Sequence, residues 1–131
     1  FDQLNYPEGV KNNTDIVFLG QALSRYQAIG FKTPVVKSHE HPDRVRSNSK
    51  LIVSVGLSVV DSLFDPERVP SELMPLKELY RRGRMLSIFR VLYKSGDYEG
   101  CRRYYVEAVK ASPVLLLKLS YLRKFCMSFF R

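Results

Sequence analysis

Residues 85–113 read MLSIFRVLYKSGDYEGCRRYYVEAVKASP, and this stretch decides the fold class. Met85, Ile88, Phe89 and Leu92 recur at helical spacing. Ser95-Gly96-Asp97 is a sharp stop, where a glycine ends one helix and an aspartate can open the next. Cys101, Tyr105, Ala108 and Pro113 then fall at offsets 0, 4, 7 and 12. Small residues let two antiparallel helices approach closely, and the aromatic fills the gap between them. Ser112-Pro113 ends the second helix. The stretch therefore predicts a helical hairpin, Met85 to Lys94 paired with Tyr98 to Ala111.

The small–aromatic–small–proline spacing resembles the second helix of a tetratricopeptide repeat. Only one such unit is visible, with no second copy about 34 residues away, and a binding solenoid needs at least about three. The hairpin is therefore expected to serve packing rather than peptide capture.

Working outward, residues 49–64 form an amphipathic helical pattern rich in β-branched residues. DPERVPSE at 65–72 reads as a turn with Ser71 as a cap, followed by a long helix from about Glu72 to Lys94. A last helix runs from about Val114 to the end. Residues 49–131 are thus a helical C-terminal domain of four helices. Upstream, 1–13 is a loop. A helix opens at Thr14-Asp15, with Asn13 or Thr14 as cap, Ile16, Leu19, Leu23 and Tyr26 at helical spacing, and Gly30 as terminator. Residues 31–38 look extended, because Pro34 breaks a helix and Val35-Val36 favours a strand. The expected fold is mainly α, with a short α/β remnant in 1–48. That first part holds too little apolar material for a core of its own and is expected to belong to a larger domain. The start at Phe1, without Met, fits a piece of a longer chain.

A hydrophobic fraction of 45% and a charged fraction of 26% exclude a disordered tail, a fibre and a low-complexity segment. Two cysteines, Cys101 and Cys126, exclude a disulfide scaffold and fit reduced thiols in the cytoplasm. There is no signal-peptide pattern, nor a run of about 18 uncharged apolar residues. The net charge of +8 is uneven: residues 1–80 carry 9 Lys+Arg against 10 Asp+Glu, and residues 81–131 carry 12 against 3. A basic block of this kind meets phosphates or is simply solvated. The last helix, PVLLLKLSYLRKFCMSFFR, mixes bases with apolar residues. It either docks on the preceding helices or lies in the headgroup plane of an anionic membrane, with Lys118, Arg123, Lys124, Phe125 and Phe129 as the membrane or partner surface. Nucleic acid is not expected, because no recognition motif is present.

Chemistry, if any, lies in residues 12–48. Asp15 enters a helix where backbone N–H groups are free, a placement that stabilises a carboxylate and fixes its pose. It reads as a cap or as a general base. The segment from Ser38 to Asn48 packs His39, Glu40, His41, Asp43, Arg44, Arg46 and Ser47 together. Such a segment is a solvated loop, or a place where imidazole meets a divalent metal and arginine meets phosphate.

Taken together and in this order, residues 1–47 resemble the C-terminal part of the catalytic domain of family 2 glycosyltransferases of the GT-A type. Members have a loop ending in Glu-Asp and a helix. A Pro-bearing strand follows, as in Thr33-Pro34-Val35-Val36, then a His segment running into Arg and Ser/Thr, as in His41 to Ser47. Bacterial members continue into basic helical tails. The resemblance implies Asp15 as the base that deprotonates the acceptor hydroxyl. It implies His41 or His39 near the diphosphate and its metal, and Arg44, Arg46 and Ser47 beside the nucleotide diphosphate. Thr14 stands where Glu is usual, and in the alternative register Asn12-Asn13 replaces Glu-Asp. No Asp-x-Asp metal motif occurs in the chain.

What the resemblance implies is a piece of a bacterial enzyme of cell-surface polysaccharide synthesis, inactive on its own. The parent would use Mg²⁺ or Mn²⁺ and transfer sugar with inversion from a nucleotide-diphosphate sugar to a glycan or lipid-linked acceptor. Its expected place is the cytoplasm or the inner membrane face. The alternative is a non-catalytic helical adaptor that binds protein or anionic membrane.

Overall fold

The computed structural model describes residues 14–30, 32–34, 37 and 49–130. Among them the protein is mainly helical and contains no strand. Six α-helices follow one another: α1 Thr14–Arg25, α2 Ser49–Val55, α3 Ser58–Leu63, α4 Leu76–Ser95, α5 Tyr98–Ala111 and α6 Leu119–Met127. Short 3-10 turns lie at Ser71–Leu73 and Pro113–Leu117. The extended segment expected over 31–38 falls partly outside the described residues; Lys32, Thr33, Pro34 and Lys37 are in no strand.

The α4–α5 hairpin forms as its sequence directs. Gly96 takes the left-handed conformation at φ 83°, and its N–H bonds to the Leu92 carbonyl. Asp97 N–H reaches the same oxygen at 3.1 Å, and the Asp97 carboxylate accepts from Gly100 N–H at 2.9 Å. One helix is closed and the next capped within two residues. Cys101, Tyr105 and Ala108 are buried with Met85, Leu86, Ile88, Phe89 and Leu92. Leu115, from the 3-10 turn after α5, joins them. Fully burying a side chain the size of Ile88 or Phe89 contributes about 1.5–3 kcal/mol.

Aromatic rings fasten α6 to this hairpin. Phe89 lies 5.3 Å from Tyr105 and 5.7 Å from Tyr121, and Tyr105 stacks on Phe125 at 4.6 Å, centroid to centroid. Arg102 donates to the Ser128 carbonyl just past α6.

A second, smaller core joins Val17 of α1 to Val59, Val60 and Leu63 of α3 and to Phe64. Leu57 borders both cores and connects them. Gln21 is buried and donates to the Ser62 carbonyl at 2.8 Å. Arg25 donates to the Arg68 and Glu67 carbonyls at 2.8 and 3.0 Å. Gly20 abuts the Leu63 side chain so closely that a Cβ there would overlap Leu63 Cδ1.

Four boundaries depart from the sequence reading. The helix expected over 49–64 breaks at Gly56, whose φ of 49° leaves the right-handed region and whose carbonyl accepts from Arg84 Nε at 3.3 Å. α4 starts at Leu76 rather than Glu72, because Pro75 has no N–H to extend an α-helical ladder back through Ser71. The last helix is interrupted at Lys118, with φ −79° and ψ 80°. That break turns Leu115, Tyr121 and Phe125 toward the same hairpin. In one continuous helix Leu115 would point elsewhere. α1 ends at Arg25 rather than near Gly30. Residues 26–30 are all exposed, and short helices are held mainly by packing.

Candidate functional site

α1 presents two unlike faces. Val17 and Gln21 are buried against α3. The opposite side is exposed, and it carries the larger apolar residues Ile16, Leu19, Leu23 and Tyr26. The periodicity that marks α1 as helical therefore belongs to its outward face, with Leu19 56% and Leu23 59% exposed. The buried side is small and polar because α3 approaches closely over Gly20.

Asp15 lies in the first turn of α1 and is exposed. By helical phase it shares the outward face, in line with Leu19, Leu23 and Tyr26 at successive intervals of four, four and three residues. Its carboxylate has no hydrogen-bond or ion-pair partner among the described residues. The positive end of the helix dipole favours the anion at this position. The result is an exposed carboxylate on a helix whose other face is pinned by core packing and by side chain-to-backbone bonds.

His39, His41, Arg44, Arg46 and Ser47 lie outside the described residues. Among the described residues no group of three or more His, Cys, Asp or Glu is placed to hold a metal ion. These residues therefore give no donor set for the divalent ion that the resemblance implies.

At the other end of the molecule, the five residues read as a membrane or partner surface divide. Lys118 and Arg123 are exposed. Lys124 is half-buried, its ammonium 6.0 Å from the Tyr121 ring centre. Phe125 is half-buried and stacked on Tyr105, so it anchors α6 inward. Phe129 is exposed, edge-on to Phe125 and under the Arg102 guanidinium at 4.8 Å. Sequence reasoning did not single out Val114, Leu116, Leu117 and Leu119 individually. All four are exposed, Leu117 by 77% and Leu119 by 74%. The available signal was the charge pattern: after Glu107 the chain has no Asp or Glu and five Lys or Arg.

Cys101 and Cys126 are free thiols, the first buried and the second exposed. Burial pushes the Cys101 thiol from 9.0 up to about 11, against the opposing pull of Arg102, with a further upward push from Asp97. At neutral pH it is an inert core residue. Burial also raises Tyr105, whose hydroxyl has no hydrogen-bond partner among the described residues. No helix among the described residues is long and apolar enough to cross a membrane. No protein-family model matches the chain, and no curated protein and no solved structure is similar enough to count as a match.

Proposed function

We propose that this chain is the acceptor-side end of the catalytic domain of a family 2 glycosyltransferase, continued by a helical C-terminal domain. The observation that supports it is the placement of Asp15. An exposed carboxylate in a helix's first turn, without a partner among the described residues and with the helix packed from behind, suits a general base. The exposed apolar stripe running from it, Ile16, Leu19, Leu23 and Tyr26, suits a helix whose outward face packs against further parts of a catalytic domain.

In this reading Asp15 takes the proton of an acceptor hydroxyl as its oxygen bonds to the anomeric carbon of a nucleotide-diphosphate sugar. The bond from that carbon to the diphosphate breaks, the diphosphate leaves with the electron pair, and the anomeric centre inverts. The acceptor is a glycan or a lipid-linked glycan. Arg44, Arg46 and Ser47 belong beside the leaving diphosphate, where cationic groups offset developing charge. His41 or His39 would stand near a bound Mg²⁺ or Mn²⁺, which would supply Lewis-acid chemistry there.

The test is Asp15→Asn in the full-length protein, assayed by release of nucleoside diphosphate from a panel of nucleotide-diphosphate sugars. Turnover should fall by roughly 10²–10⁴. Unchanged turnover refutes the assignment of Asp15.

A second reading, a non-catalytic helical adaptor, is supported by the α4–α5 hairpin, which buries Cys101, Tyr105 and Ala108, the residues whose spacing resembles a tetratricopeptide helix. Against it, α6 covers Phe89 and Tyr105 with Tyr121 and Phe125, where a peptide-binding array would add further repeats.

A further inference from the structure

We propose that residues 113–130 form a docking face for an anionic lipid bilayer, with leucine and phenylalanine side chains entering the headgroup region and Lys118 and Arg123 meeting lipid phosphates. The proposal stands apart from the role of Asp15 and does not depend on it.

Three observations carry it. The first is where the exposed apolar surface lies. Val114, Leu117, Leu119, Phe129 and Phe130 are 69%, 77%, 74%, 60% and 88% exposed, all within 17 consecutive residues. Leu116 adds a further 45%. Scattered exposed leucines are ordinary, but a concentration of this kind marks an interaction site.

The second observation is that the face cannot fold away. Leu115, Tyr121, Phe125 and Ser128 point inward and are fixed, by the ring contacts to Phe89 and Tyr105 and by the bond from Arg102 to the Ser128 carbonyl. Opposite them, Leu119, Arg123 and Cys126 follow one another along the outer side of α6, and Phe129 and Phe130 lie just beyond its last turn. The segment is thus amphipathic in a fixed sense, docked on one side and open on the other.

The third observation selects the partner. From Ala108 to Arg131 the chain has five Lys or Arg and no Asp or Glu. Within residues 113–130 the charged side chains are Lys118, Arg123 and Lys124, all basic. An exposed apolar segment whose own charges are all basic matches the interface of an anionic bilayer, where acyl carbon begins below a layer of phosphate. α6 has nine residues, far short of the roughly 20 that cross the hydrocarbon, so the segment lies in the plane of the surface.

The cysteines supply a probe. Cys126 is exposed on the outer side and Cys101 is buried, so a thiol-reactive, polarity-sensitive dye labels Cys126 alone in the folded chain. The whole chain is incubated with phosphatidylcholine vesicles containing phosphatidylglycerol, or with phosphatidylcholine alone. Binding is read by cosedimentation and by the dye.

Binding to the phosphatidylglycerol vesicles is expected, with a blue shift of the dye. Weakening is expected between about 0.1 M and about 1 M salt, together with little binding to phosphatidylcholine. Lys118→Gln and Arg123→Gln should each cost roughly fivefold. Leu117→Glu/Leu119→Glu should cost at least about tenfold. Both leucines are largely exposed, so an unchanged circular dichroism melt separates lost docking from lost folding. Equal binding to both vesicle types, binding to neither, or unchanged binding by the double leucine variant overturns the proposal. So does a concentration-dependent dimer that forms through this face without vesicle binding, which would make a second copy the occupant.

Discussion

Alkaline pH should destabilise the helical hairpin through one thiol. Cys101 is fully buried between α4 and α5, among Ile88, Phe89 and Leu92. Its ionisation is pushed from 9.0 to about 11, first by burial, with Arg102 opposing and Asp97 adding a smaller push upward. The folded-state value lies above the unfolded one, so between the two the unfolded chain holds fewer protons on this sulfur than the folded chain. Stability from this group is complete below pH 9 and is lost as pH rises through about 11. Each pH unit within that window costs at most about 1.4 kcal/mol, or roughly 2–3 kcal/mol over its full width. A domain with a total stability of about 5–15 kcal/mol registers such a loss clearly. The assay is urea denaturation from pH 8 to about 11.5 on the natural chain and on Cys101→Ala. Tyrosines and lysines titrate in the same range, so the quantity that counts is the difference between the two chains. Cys101→Ala should be less stable at pH 8, by about 1 kcal/mol for the lost sulfur contacts, and the gap should shrink or reverse by pH 11. A gap that stays constant across the range would refute the argument, since it would mean that the sulfur ionises equally well in the folded chain.

Two further predictions concern the same hairpin. Tyr105→Phe keeps the ring contacts with Phe89 and Phe125 and removes a buried hydroxyl that has no partner among the described residues. It should be neutral or stabilising by about 1 kcal/mol, seen as a Tm rise of a few degrees, and a loss above about 1 kcal/mol would reveal a partner for that oxygen. Asp97→Ala strips the cap from Gly100 N–H and should cost about 1 kcal/mol at pH 7, with Asp97→Asn retaining most of it.

The hairpin was legible in the sequence because its signals are local and agree with one another. Gly96 stops one helix, Asp97 starts the next, and the spacing of Cys101, Tyr105 and Ala108 defines a single inward face. The face of α1 was not legible. Ile16, Leu19, Leu23 and Tyr26 form the stronger stripe, yet α3 packs on the weaker side over Gly20, a choice set by chain geometry rather than by hydrophobicity. The break at Gly56 was hidden for a related reason, since a glycine within a helical pattern is as often tolerated as it is a turn. For the candidate site, the sequence marked Asp15 as a helix-entry carboxylate, and its outward direction followed only from the burial of Val17 and Gln21. In the C-terminal segment the bases were legible as charge. The inward turn of Phe125 and the outward turn of Leu117 depend on the interruption at Lys118, which no single residue type announces.

The seam between α1 and the segment that follows α3 has an asymmetry that bears on how the protein tolerates change. Gln21 and Arg25 reach across with their side chains, but they meet only main-chain oxygens, those of Ser62, Glu67 and Arg68. Any residue other than one that distorts the backbone offers the same oxygen. Positions 62 and 67 can thus vary without loosening the seam, whereas 21 and 25 cannot, and a saturation mutagenesis map should show tolerance on one bank and constraint on the other.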